Sequence, residues 1–288
     1  MPTIKKLIFA PFFLIIFGLL IYQINPLLKS YDFIFALSIN SFISLIILSA
    51  FISISSFIFV LFSNFSLDWK FIVPVGILAS LFPVIFLNQA LGLVFAAGTL
   101  VSLLFTYVSL ENTMKTYLTF QPAALLGPSI RHLCSLFILV IAVTYFLSLN
   151  TLVQQTGFQI PDSLIDTALK FTDQSQINQA DNQLSLPPDQ IELLKKNPQL
   201  LKQSGLDPNL TNNLIKQTVK DQVQNFLKPY LGFVPAVLAI LLFFTLQSLT
   251  SILNLLIYPL LWVVFYVLEK SGFIKFTTET REVKKMVI

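Results

Sequence analysis

One cysteine, Cys134, and one histidine, His132, leave the chain nearly without side chains that bind metals or act as strong nucleophiles. A lone cysteine excludes an intrachain disulfide and a cysteine-based metal cluster. A lone histidine excludes His-rich zinc and di-metal sites. Charge is scarce as well: 11% of residues are Asp, Glu, Lys or Arg, whereas soluble domains carry roughly a quarter. The formal charge of +4 is small and its lysines are dispersed, so no nucleic-acid partner is expected. There is no G-x-x-x-x-G-K-[ST] or G-x-G-x-x-G phosphate loop, no G-x-S-x-G elbow and no H-E-x-x-H helix. No cofactor and no catalytic group is therefore assigned, and the chain is expected to be non-enzymatic.

What is present is apolar sequence, 55% of the total. A soluble domain of this length could not hide so much of it. The expected fold is all-α and polytopic, dissolved in lipid, with six or seven transmembrane helices and one small helical extramembrane domain. An N-terminal membrane domain over residues 1–150 begins with Lys5 and Lys6 before an apolar run from Leu7 to Tyr22. No small-residue cleavage pattern follows that run, so it reads as an uncleaved first span. Phe33 to Phe62 carries no charge and suits one long tilted helix. Phe71 to Leu110 is too long for one crossing and reads as a hairpin turning at Asn88–Gln89. Residues 111–130, broken by Lys115, Pro122, Gly127 and Pro128, suit a segment lying at the membrane surface. Arg131 then opens a span ending near Leu149.

Residues 151–229 form the one long polar stretch, expected to be helical around a flexible linker at 171–186. Asp207–Pro208 is a strong helix start. After it, Leu214, Val219, Val223, Phe226 and Leu227 recur at helical spacing. This stripe is the candidate partner face, and its plainer reading is packing against neighbouring short helices or lipid. The apolar helices at 230–268 have a polar, uncharged centre. Two short spans fit, as does one span preceded by a re-entrant or interfacial helix. Residues 269–288 make a tail with five basic and three acidic residues.

Basic residues in short loops stay in the cytoplasm. With Lys5 and Lys6 inside, Lys70, Lys115 and Arg131 fall on the same side, and 151–228 lies outside. The expected location is the plasma membrane, with a cytoplasmic N-terminus. Six crossings return the tail to the cytoplasm and seven leave it outside. An eight-span arrangement, splitting Phe33–Phe62, would place the polar segment inside.

Asn88, Gln89, Gln247 and Asn254 are the candidate intramembrane polar positions. They could line a broken-helix solute site, or simply serve a turn and helix contacts. His132 could accept protons near the interface, although a polar residue at headgroup level explains it more simply. The expected span interiors carry no charge, which argues against ion-coupled transport. The reading adopted is a membrane scaffold or assembly protein presenting 151–228 to an envelope partner. Beyond the lipid bilayer, its partners would be that protein or further copies of the chain. The alternative is a channel or facilitator for a neutral or lipidic solute.

Overall fold

The computed structural model describes residues 7–29, 39–117, 119–156, 230 and 232–276. These form seven helices: α1 Phe9–Leu28, α2 Ile39–Ser66, α3 Trp69–Phe86, α4 Gln89–Thr116, α5 Pro122–Thr156, α6 Val234–Asn254 and α7 Ile257–Lys270. Among the described residues there is no strand, and six helices, α1 to α6, are long and apolar enough to cross a membrane. Large apolar side chains such as Ile85 and Phe105 stand exposed on the spans, as expected where lipid replaces water. The chain is a multi-pass helical membrane protein.

α2 runs uninterrupted over 28 residues, about 42 Å at the helical rise. It is one helix, as its uncharged run implied, and it ends at Ser66, beyond Phe62. Two thirds of its span window is buried, against one third for α3, so α2 is the most enclosed span.

The turn from α2 to α3 is tight. Leu67 adopts a left-handed backbone (φ 39°), and its N–H reaches the Ser63 carbonyl at 2.9 Å. Asp68 then caps α3 by accepting from the Lys70 N–H at 3.1 Å, satisfying one of the first donors that lack an intrahelical partner. α3 and α4 form the expected hairpin and pack along their lengths. Gly92 makes the closeness possible: a Cβ there would stand 2.8 Å from the Pro83 carbonyl oxygen and 2.9 Å from Val84 Cα.

Two features differ from the sequence reading. Residues 111–130 are not a separate element: α4 continues to Thr116, α5 begins at Pro122, and the connection is five residues long. Proline at the first helical position is preorganised for a helix start, so Pro122 begins α5 instead of interrupting a surface segment. Arg131 therefore lies inside α5, not at its entry. The second difference is at the C-terminal end, where the long helix comes first and the short one follows. Their junction keeps helical direction through the i→i−3 bonds Leu255 N–H to Ile252 and Leu256 N–H to Leu253. Pro259 sits in the first turn of α7, where its missing N–H costs little. α7 ends at Gly272 (φ 68°), with Gly272 N–H on the Glu269 carbonyl and Phe273 N–H on Leu268, the Schellman arrangement.

The chain divides into two compact units, residues 1–23, 46–140 and 245–288, and residues 24–45 and 141–244. The first has an aromatic core, with Phe13 against Phe59 at 5.1 Å and Phe17 against Phe137 at 5.5 Å between ring centroids. A second aromatic group gathers one end of this unit. Phe9 stacks on Phe65, Phe65 meets Phe265 and Phe273, and Phe120 meets Phe265 and Phe276. The start of α1, the α2–α3 turn, the α4–α5 connection and the end of α7 thus share that end. Lys70, Lys115, Lys270 and Lys275 belong to the same segments.

Partners along α5 order the last two helices. Gln247 meets Ser135, Asn254 meets Cys134, Tyr258 meets Arg131 and the space beside Gly127, and Phe265 meets Phe120. α6 and α7 therefore run in one direction, antiparallel to α5, with an interruption at Leu255–Leu256. In the second unit, the Ser148 hydroxyl donates to the Leu28 carbonyl at 2.6 Å, satisfying one of the carbonyls α1 leaves free at its end.

The polar segment, including the linker 171–186 and the stripe of Leu214, Val219, Val223, Phe226 and Leu227, lies outside the described residues apart from 151–156. Those six residues extend α5, with the Thr151 hydroxyl donating to the Leu147 carbonyl at 3.0 Å.

Candidate functional site

The four polar positions singled out in the sequence separate into two pairs. Asn88 and Gln89 are exposed at the α3–α4 turn. Asn88 acts through its backbone, its carbonyl accepting from Gly92 N–H at 2.7 Å, while its side chain caps nothing. These residues serve the reversal.

Gln247 and Asn254 behave differently. With Thr250 they sit at spacings of three and four, which places them on one face of α6. That face meets α5: Gln247 Nε2 donates to Ser135 Oγ at 3.1 Å, and the Cys134 thiol points at Asn254 Oδ1 at 3.7 Å. Thr250 is buried and satisfies its hydroxyl on the Leu246 carbonyl, four residues back. α2 supplies a third side. Ser49, Ser53 and Ser56, again at spacings of four and three, are all buried, and Ser53 and Ser56 lie beside the Cys134 thiol. The result is an uncharged polar cluster inside the first unit, made by α2, α5 and α6.

Gln247 and Asn254 were among the polar positions singled out in the sequence, whereas Ser135, Cys134 and the serines of α2 were not. Taken alone along the chain, Cys134 is an ordinary small residue in a helix. The serine spacing on α2 was a readable signal, since 49, 53 and 56 repeat as one helical face within a charge-free run. What the sequence could not supply was the neighbour each face would meet.

Chemically the cluster holds neutral donors and acceptors only. It has no carboxylate or imidazole to move a proton, and among the described residues no three of His, Cys, Asp and Glu come together. Its side chains can hold helices in register or offer hydrogen bonds to a neutral solute. His132 stands apart, exposed and 5.4 Å from the Phe105 ring. Arg131, also exposed, donates to the Tyr258 hydroxyl, its guanidinium 5.3 Å from the centroid of that ring.

No known protein family, curated protein or solved structure matches the chain.

Proposed function

We propose that the protein is a non-enzymatic membrane scaffold or assembly factor that displays residues 151–228 on the exoplasmic side to an envelope partner. The observation that carries this reading is the use made of Gln247 and Asn254. Both are engaged by α5, through Ser135 and Cys134, so they act as interhelical links worth on the order of 1 kcal/mol each. The orientation follows from charge. Six traverses leave the residues before α1 and after α7 on one side, together with Lys70 and Lys115, and that lysine-bearing side belongs in the cytoplasm.

A facilitator for a neutral or lipidic solute is the second reading, favoured by one observation. Among the described residues the buried hydroxyls of Ser49, Ser63 and Ser66 on α2 have no hydrogen-bond partner, and a row of such groups along the most enclosed span could serve a hydroxylic solute.

One experiment separates the two. The scaffold reading expects an Asn88→Ala/Asn254→Ala variant to keep cellular function, and deletion of 171–186 or Val223→Asp to impair it. The reverse ranking, together with solute flux through the purified protein in liposomes, would replace the scaffold with the facilitator. Orientation is read separately, with single cysteines at Ser175 and Ser204 in a Cys134→Ser background. Both should react with an impermeant maleimide in intact cells; reaction only after lysis would invert the topology.

A further inference from the structure

The cations near the lysine-bearing end are not equivalent. Lys70 lies in the first turn of α3 beside the cap Asp68, Lys115 pairs with Glu111 at 2.7 Å in the last turn of α4, and Lys270 lies in the last turn of α7 next to Glu269. Each stands at a helix end with an acid close by in sequence. Arg131 has neither property. It lies nine residues inside α5, one turn from Cys134, level with the α6–α7 break, and among the described residues it makes no ion pair. A cation held within a span is costly unless compensated. Among the described residues its polar partner is the Tyr258 hydroxyl, which uses one of the five guanidinium donors.

The geometry around it is suited to an amphiphile. Arg131 is exposed, so the remaining donors are open to the surroundings, while the Tyr258 ring and the close packing of Gly127 against that ring fix one flank. The adjoining break exposes Leu255 and Leu256, at 70% and 64%, an apolar surface next to the charge. A planar guanidinium binds phosphate through two parallel hydrogen bonds, and basic sites between spanning helices on the cytoplasmic side take up phospholipid headgroups.

We propose that Arg131, backed by Tyr258, holds the phosphate of one anionic phospholipid of the surrounding membrane, with its acyl chains against the α6–α7 break. The site does not depend on the scaffold reading. It is tested on the full chain purified in a neutral detergent, by native mass spectrometry and thermal unfolding, with dioleoyl phosphatidylglycerol, dioleoyl phosphatidylcholine and inorganic phosphate as probes. The wild type should retain one phosphatidylglycerol in preference to phosphatidylcholine and be stabilised by it. Arg131→Gln should weaken that binding about tenfold, equivalent to ~1.4 kcal/mol, and Lys115→Gln should leave it unchanged. Arg131→Lys, which keeps the charge and loses the fork, should fall between. Equal retention of both lipids by the wild type, or undiminished binding in Arg131→Gln, would overturn the site. The same stabilisation from inorganic phosphate alone would show a phosphate site and not a lipid site. Because the wild-type competition is decisive by itself, the result stands even if Arg131→Gln does not fold.

Discussion

Asn88–Gln89 and Gln247–Asn254 look alike along the chain: each is a polar interruption of an apolar run long enough for two helices. In space they are opposites. At the first, Leu87 leaves the helical region (φ −106°, ψ 167°), the chain reverses, and Asn88 and Gln89 end up exposed outside the packed helices. At the second, Leu256 stays near-helical (φ −76°, ψ −17°), the direction is kept, and the polar face turns inward onto α5. Polarity does not decide whether a chain reverses. A departure of the backbone from the helical region does, together with a pair of helices able to approach closely on either side.

The sharpest way to break this comparison is at the hairpin contact. Gly92→Val would drive side-chain atoms into the backbone at Pro83 and Val84 and should cost about 3 kcal/mol or more. Leu255→Val, at the exposed kink, should stay within about 0.5 kcal/mol. Unfolding of the purified proteins by titration with a denaturing detergent measures both, and equal losses would show that the two junctions are held alike.

Burial gives the next contrast. Asn254→Leu removes an acceptor from an enclosed site and should destabilise by about 1 to 2 kcal/mol, whereas Asn88→Leu, on an exposed turn, should change little. The same titration reads this pair, and a larger loss at Asn88 would reverse the roles assigned here.

The α2–α3 turn offers a smaller effect of opposite sign. It reverses the chain with a leucine in the left-handed region, a conformation glycine adopts without the Cβ clash. Leu67→Gly should therefore raise the unfolding midpoint by a gain of up to about 1 kcal/mol, and a loss instead would mean that the exposed Leu67 side chain contributes more than its backbone costs.

The smallest expected effect is the coupling of Gln247 to Ser135. A double-mutant cycle with alanine at each should return roughly 0.6 kcal/mol, the usual size of a hydrogen bond between membrane helices. A coupling of zero would remove Gln247 from the interhelical links and return weight to the facilitator.

Periodicity and charge made much of this fold legible. The unbroken α2, the α3–α4 hairpin and the helical membrane class all followed from where apolar runs begin and end. Residues 111–130 misled because Pro122 and Pro128 read as breakers, while Pro122 starts α5 and Pro128 is carried within it. For the candidate site, Gln247 and Asn254 were visible as polar residues in an apolar run and the α2 serines as a helical repeat, but Cys134 was not, since alone it is an ordinary small residue in a helix.

The sequence by itself determined that this is a multi-pass helical membrane protein, because burying that much apolar surface and satisfying every backbone group within lipid leaves little but helices. Only the tertiary structure decided which helix faces meet, that α7 continues the direction of α6, and that Arg131 lies beside Tyr258 with no acid paired to it among the described residues. Helix contacts inside lipid depend on shape and on scattered hydrogen bonds, not on hydrophobic burial. Residues such as Cys134 and Asn254, 120 positions apart, therefore leave no joint mark along the chain.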